Sequence, residues 1–209
     1  MSAILFNQLS GDVGQYFTKD FVGAEVLTDG ERSLLTNVLA QKRVKDFSTG
    51  RFCARRALAQ IELPQAEILR KNEREPQWPE GIVGSISHSA KMVGAVVCRN
   101  QSIKGIGLDI ETIGGVKPEM WRLLFTSNEQ DFLKRQTNAD LFTTLFFSLK
   151  ESFYKMQYPL LQAEPDFLDV DVHMIDGQIV FKNDLFDPKS LRIYWQQFED
   201  QLISIIIAD

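Results

Sequence analysis

The residues best able to do chemistry are acids and cations in two short stretches. Asp109 and Glu111 stand in Gly105-Ile106-Gly107-Leu108-Asp109-Ile110-Glu111. Lys150, Glu151 and Lys155 stand in Phe147-Ser148-Leu149-Lys150-Glu151-Ser152-Phe153-Tyr154-Lys155. The first stretch reads as a strand. Its side chains alternate faces, so Ile106, Leu108 and Ile110 point one way and Gly107, Asp109 and Glu111 the other. Two carboxylates on one face repel unless a cation lies between them, and Mg²⁺ takes such carboxylates together with phosphate oxygens and water. Alone, the acids could equally be a solvated strand edge, although the flanking glycines permit close approach of a ligand. The second stretch reads as a helix on which Glu151 and Lys155 share a face. Alone they would be an ordinary surface ion pair. Phe146, Phe147, Phe153 and Tyr154 around them predict a partly buried helix, where charged groups need partners. Glu151 is therefore a candidate third metal ligand or a general base. Three acids with several cations suffice to handle a diphosphate through a metal ion.

Further groups could hold phosphate. Ser85-Ile86-Ser87-His88-Ser89 places hydroxyls, turn N–H groups and an imidazole between two apolar stretches, a combination that serves either as an anion site or as an ordinary polar turn. Arg51, Arg55 and Arg56 lie on one predicted helix, with Arg51 and Arg55 on one face, and guanidinium forks suit phosphate oxygens. Arg74 and Trp78 lie in a Pro-rich loop, where the Trp can stack or simply pack. No G-x-S-x-G occurs, which excludes a serine hydrolase built on a nucleophile elbow.

The elements that must position these groups follow from pattern. Residues 1–27 read as short strands and turns. Thr28 or Asp29 caps a helix starting near Glu31, with Leu34, Leu35, Val38 and Leu39 at helical spacing and Val44-Lys45-Asp46-Phe47 closing the segment. Ser48 caps a second helix over 49–61, ended by Pro64. Residues 84–87 and 91–98 form a hairpin broken at His88-Ser89-Ala90, and 103–111 a third strand. Pro118 opens a short helix through Leu124. Thr126 with Glu129 has the capping-box pattern, and Asn138 caps the long helix that ends near Pro159. Asp176-Gly177 is a hairpin turn between 168–175 and 178–181, and 191–197 with 201–208 give a final strand pair. The order of elements repeats, so the chain reads as α+β: two similar α/β halves, 1–104 and 105–209, about a pseudo-twofold axis, forming one unit with a site in the cleft between them.

The bulk numbers narrow the class. The 209 residues carry 23 Lys+Arg against 28 Asp+Glu, a formal charge of −5. No basic excess exists for a nucleic-acid backbone, so no nucleic-acid partner is expected. The two cysteines, Cys53 and Cys98, fit buried free thiols in a reducing cytoplasm. Residues 1–6 lack a basic, apolar signal pattern, and the longest apolar runs, such as 202–208, are too short to span a membrane.

Together these motifs resemble the 4'-phosphopantetheinyl transferases, specifically the surfactin-synthetase and enterobactin-synthetase types. Those carry a G-[IV]-D-[IV]-E strand and a [FW]-[ST]-x-K-E-[SA]-x-x-K helix at a similar separation. This chain has Leu108 where the strand pattern has Ile or Val, which leaves the acids in register. Gly50-Arg51-Phe52-Cys53-Ala54-Arg55-Arg56-Ala57-Leu58, Arg74-Glu75-Pro76-Gln77-Trp78-Pro79-Glu80-Gly81 and Gly84-Ser85-Ile86-Ser87-His88-Ser89 add to the likeness. It runs from about residue 47 to 158; residues 1–30 and 160–209 carry no matching motif. The resemblance implies transfer of the phosphopantetheine arm of coenzyme A, with Mg²⁺, to a serine of an apo acyl, peptidyl or aryl carrier protein or carrier domain, releasing 3',5'-ADP. The pathways implied are siderophore or nonribosomal peptide, polyketide and fatty-acid synthesis. Asp109, Glu111 and Glu151 would hold the metal, with Glu151 as ligand or base. Lys155 and Lys150 would hold the diphosphate. Ser87, His88 and Ser89 would meet phosphate, and Arg51, Arg55 and Arg74 the nucleotide end. Carrier docking is expected near Val116, Met120, Trp121 and Leu124, and a monomer is the simplest assembly. A catalytically inactive coenzyme A or carrier-binding module, and a Mg-dependent phosphohydrolase, are the competing readings. The first would have lost the acids that this chain keeps. The second usually has richer His/Asp clusters than His88 and His173 provide.

Overall fold

A computed structural model describes every residue except 1, 4, 10, 11, 36–39, 64, 65, 72–74, 100 and 102, and describes no side chain at 2 and 3. The chain is α+β. Strands β1 (Ser2–Ala3) and β2 (Val13–Thr18) precede a short helix α1 (Asp29–Ser33) and a long helix α2 (Gln41–Gln60). Two hairpins follow, β3 (Leu69–Lys71) with β4 (Glu75–Gln77) and β5 (Ile82–His88) with β6 (Val93–Arg99). After β7 (Gly105–Thr112) come α3 (Trp121–Leu124), α4 (Ser127–Leu133) and the long α5 (Ala139–Leu161). The chain finishes with β8 (Asp171–Ile175), β9 (Gln178–Lys182), β10 (Leu191–Phe198) and β11 (Gln201–Ala208).

The same connectivity occurs twice. In the first sheet the order is β1-β2-β6-β5, in the second β10-β11-β7, and every pairing is antiparallel. In each, a strand leads to a long helix and then to a hairpin whose second strand lies in the middle. Packing repeats too. A Cβ on Gly14 of β2 would lie 2.1 Å from the Ala57 carbonyl oxygen on α2, and one on Gly107 of β7 would lie 1.9 Å from the Ser152 carbonyl oxygen on α5. Each half thus seats its long helix on a glycine of its first strand, closer than any side chain allows.

The inner faces of the two sheets share one core. Ile106, Leu108 and Ile110 of β7 and Ile203, Ile205 and Ile207 of β11 cluster with Val96 and Cys98 of β6 and with Phe17 of β2. Outside these layers, α2 packs on Val93, Ala95 and Val97, and α5 packs Leu145, Leu149, Phe153 and Met156 against Leu202 and Ile206. Each such side chain, nearly fully buried, contributes about 1.5–3 kcal/mol. Between α5 and β11 the contact is polar as well as close. The hydroxyls of Ser148 and Ser152 each lie 2.8 Å from the Ser204 hydroxyl, which donates to the Ser148 carbonyl at 2.9 Å.

Most predicted elements are present, and several boundaries move. Thr28 caps α1 through a capping box with Glu31, but α1 stops at Ser33; Leu34 is its C-cap and Leu35 lies beyond it. Val38, Leu39 and Pro64 lie outside the described residues. The second helix begins at Gln41, eight residues before the expected start, so 44–47 are helical and Ser48 is a buried interior residue and not a cap. Its N-cap position is Ala40, which offers no capping side chain. Burial of one face fixes this helix without a local start signal. Asn138 occupies the N-cap position of α5 without a side-chain cap bond, and the helix continues past Pro159 to Leu161. The Asp176-Gly177 turn forms with both residues at positive φ, 50° and 78°, as a tight hairpin turn requires.

Gly107→Ala tests the helix seat. A methyl group there collides with backbone, which cannot rotate away, so we expect a loss of about 3 kcal/mol or more in urea unfolding. A loss below about 0.5 kcal/mol, the level of an ordinary surface change, would show that α5 does not sit directly on β7.

Candidate active site

β7, α5 and β5 bring the site together. The Lys155 ammonium lies 2.6 Å from Asp109 Oδ1 and 3.2 Å from Ser87 Oγ. Ser87 donates to Asp109 Oδ1 at 3.1 Å and accepts the Ile110 backbone N–H at 3.2 Å. That hydroxyl therefore has one donor and two acceptor contacts, its full capacity. β5 and β7 belong to different sheets, so this junction ties the two halves side chain to side chain. Asp109 is 2% exposed, and its Oδ2 is buried with no hydrogen-bond partner among the described residues.

The neighbouring carboxyls are short of positive charge. Burial pushes the Glu111 carboxyl up to about 7; the charges of Asp109 and Glu151 add to the rise, and Lys155 opposes it. Glu151 is raised chiefly by burial and further by Asp109, again against Lys155. Three carboxylates thus sense one ammonium. Among the described residues, no three His, Cys, Asp or Glu side chains are gathered closely enough to enclose a metal as they stand. The donors nonetheless fit a divalent cation, because an orphaned carboxylate oxygen lies beside two carboxyls whose ionisation a cation would favour.

A groove of about 930 Å³ opens beside this junction, between the halves. Its walls include Arg70, Trp78 and Ser85 from the first half and Tyr154, Lys155 and Tyr158 from α5. Trp78 covers Gly84, where a Cβ would lie 2.7 Å from the indole.

Other expected ligand contacts are committed elsewhere. Lys150 lies on the far side of α5, with its ammonium bonded to Glu129 Oε2 at 2.7 Å, the Leu124 carbonyl at 2.9 Å and the Phe167 carbonyl at 2.7 Å. All three of its donors are used, leaving none for a phosphate; it holds α4, the end of α3 and the 167–169 turn onto α5. Burial pushes Glu129 up and Lys150 down, while their attraction and hydrogen bonds favour the charged pair. Arg55 grips Glu31 at 2.7 Å and the Val26 carbonyl at 2.5 Å, fastening α1 to α2 and not serving a nucleotide. Ser89 accepts the N–H groups of Lys91 and Met92 and donates to Gln201, so its hydroxyl is spent on its own turn. Ser87 is likewise spent on the junction. Arg51 is buried over the Phe47 ring, 4.6 Å from the centroid, with Nη2 on the Leu69 carbonyl. Burial lowers its pKa to about 10, and its Nε has no partner among the described residues. His88 is exposed at the end of β5. Arg74 lies outside the described residues.

Two groove residues were not among the expected site residues: Arg70, which no motif marks, and Tyr154, an unspecified position of the α5 motif. Arg70 shares the Phe47 ring with Arg51, at 5.5 Å, and Tyr154 stacks on Tyr158 one helical turn later. The i, i+4 spacing of these tyrosines was the only available signal.

A family model described as the 4'-phosphopantetheinyl transferase N-terminal domain matches residues 31–98, and one described as the 4'-phosphopantetheinyl transferase superfamily matches residues 105–206. Enterobactin synthase component D of Escherichia coli (strain K12) is 31% identical over 175 residues, covering 81% of this chain and 79% of that protein. The chain belongs to the 4'-phosphopantetheinyl transferase family. 4'-Phosphopantetheinyl transferase PptT of Mycobacterium tuberculosis is 34% identical over 68% of this chain, and 4'-phosphopantetheinyl transferase Svp of Streptomyces mobaraensis 33% over 63%. The matches span 63% and 54% of those two transferases' own lengths.

Two measurements check the site's electrostatics. Glu111 holds its proton more tightly folded than unfolded, so its contribution to stability is present below about pH 4.5 and is lost as pH rises towards about 7. Glu111→Gln should therefore raise the metal-free Tm relative to wild type at pH 8 and much less at pH 5; an equal shift at both would contradict this. Lys150→Met leaves Glu129 buried and unpaired, and should cost about 3–5 kcal/mol in denaturant unfolding. Unchanged stability with a raised KM for coenzyme A would instead return Lys150 to the diphosphate.

Proposed function

We propose that this chain transfers the 4'-phosphopantetheine arm of coenzyme A to a serine hydroxyl of an apo acyl, peptidyl or aryl carrier protein, releasing 3',5'-ADP. The observation that carries the reading is the Lys155–Asp109–Ser87 junction beside a groove that Lys155 lines, with Glu111 and Glu151 within reach of the charges of Asp109 and Lys155. The groove supplies aromatic and apolar wall for the pantetheine arm and Arg70, Lys71 and Lys155 for phosphate. Residues 1–104 furnish the nucleotide side and 105–209 the acids, so neither half suffices alone and a monomer is complete.

In this reading Asp109, Glu111 and Glu151 hold Mg²⁺, which when bound neutralises the diphosphate and stabilises the departing phosphate. Lys155, already partly exposed to the groove, exchanges its contact with Asp109 for a diphosphate oxygen. Arg70 faces the nucleotide end, with Arg51 sharing its contact with the Phe47 ring and His88 on a phosphate. The serine oxygen forms a bond to the phosphorus carrying the pantetheine arm, and the anhydride bond to 3',5'-ADP breaks. The serine proton passes to Glu151, directly or through water; a carboxylate bound to metal is a weaker base, so its two roles compete.

The carrier docks on apolar surface near α3. Val116 and Leu124, expected at that surface, are buried in the core, and Trp121 packs against it. Met120, 43% exposed, and Leu123, 65% exposed, remain outside. Carrier proteins are usually acidic and this chain is itself −5, so long-range attraction is weak and an apolar contact must hold the pair. Placement in the cytoplasm agrees with Cys53 and Cys98, both buried free thiols. No helix among the described residues is long and apolar enough to cross a membrane.

Incubation with a panel of apo-carriers, coenzyme A and Mg²⁺ should add one phosphopantetheine arm to at least one carrier, read by intact mass. Release of 3',5'-ADP without carrier modification would instead make the protein a phosphohydrolase, and coenzyme A binding without product an inactive binding module. With a modified carrier in hand, Leu123→Glu should raise KM for carrier by about tenfold, equivalent to roughly 1.4 kcal/mol, and leave KM for coenzyme A unchanged. Equal changes in both would remove docking from α3.

A further inference from the structure

The turn joining β10 and β11 belongs to the second half, yet three consecutive residues there reach the first. Glu199, at a positive φ of 54°, pairs with Lys19 at 2.7 Å. Asp200 pairs with Lys91, and Gln201 accepts the Ser89 hydroxyl. The two ion pairs are exposed, where such pairs contribute little. Gln201 is different: it is 2% exposed and fully engaged. Its Nε2 donates to Thr112 Oγ1 at 3.2 Å and to Asp200 Oδ1 at 3.0 Å, and its Oε1 takes the Ser89 proton.

Ser89 is the hydroxyl that organises the turn after β5. It accepts the N–H groups of Lys91 at 3.1 Å and Met92 at 3.2 Å, and its own N–H donates to the Met92 carbonyl at 2.8 Å. With both lone pairs used inside the turn, its proton needs an acceptor, and Gln201 supplies one from the other half. Gln201 also stands in register with Thr112, next to Glu111 in β7. One buried amide thus links the turn carrying His88 to the strand carrying the acids.

We propose that Gln201 is a positioning residue: it fixes the 88–92 turn across the junction of the halves, and so holds His88 where it meets a phosphate of coenzyme A. This rests on the transferase reading, in which His88 faces phosphate. Gln201→Leu keeps the shape and removes the acceptor, and Ser89→Ala removes the same bond from the other side. Each should weaken 3',5'-ADP binding by about tenfold and raise KM for coenzyme A alike, with kcat and KM for carrier little changed. The double variant should be no worse than either single, and Gln201→Leu should add nothing on a His88→Ala background. Amide exchange at 89–92 should quicken in both singles. Ser89→Thr, which retains the hydroxyl, should keep most of the affinity.

Unchanged 3',5'-ADP affinity in Gln201→Leu and Ser89→Ala, with a wild type that binds, would overturn the role of Gln201. So would full additivity with His88→Ala, or equal losses in kcat and both KM values. A wild type that binds no 3',5'-ADP would overturn the transferase reading itself, and quickened exchange at 89–92 would then report only the structural link. If Gln201→Leu does not fold, Ser89→Ala and Ser89→Thr carry the comparison.

Discussion

A buried carboxylate ties together the two halves of this molecule. Asp109 lies inside the protein with one oxygen bonded to Lys155 and Ser87 and the other bare. Burying a charge is costly unless it is paired, and its partners come from two directions: Lys155 on α5 and Ser87 on β5 of the other half. The junction therefore joins the halves only when all three elements are in place. The same contacts leave the surrounding acids under-compensated, which is why burial and mutual repulsion raise Glu111 and Glu151 together. An arrangement that is electrostatically incomplete by itself and complete with a cation and a polyphosphate is what a phosphoryl-transfer site requires.

The rest of the second half holds α5 at the right height and rotation. Gly107 lets the helix descend onto β7, and the serine trio lets it approach β11 without leaving polar atoms unpaired. Lys150 sets the rotation. It is one residue, or about 100° of helix, from Glu151, and it is drawn into its own half by Glu129 and two carbonyls. That anchor turns Lys155 towards the cleft and leaves Glu151 within reach of the charges of Lys155 and Asp109. One motif thus holds two lysines with opposite duties, one fixed inside the scaffold and one at the groove.

Local pattern made much of this legible. Strand alternation placed Ile106, Leu108 and Ile110 in the core and the acids opposite them; Thr28, one of two candidates, is the cap of α1, and the capping box at Thr126 and the Asp176-Gly177 turn formed as read. What failed was non-local. Ser48 looked like a cap because nothing nearby said that the helix had already begun at an uncapped Ala40. Lys150, Arg55 and Ser89 looked available because their partners Glu129, Glu31 and Gln201 lie 21, 24 and 112 residues away. A cation's residue type shows that it can bind phosphate; only the fold shows whether a carboxylate already holds it.

Asp109 joins the two halves, and in the proposed function it also receives the cation that binds with coenzyme A. Calorimetric titration of coenzyme A into the wild type and Asp109→Asn, each with and without Mg²⁺, tests it most directly. We expect Mg²⁺ to tighten binding to the wild type by about tenfold or more, roughly 1.4 kcal/mol, with no such effect on a folded Asp109→Asn. Equal tightening in both proteins would contradict it.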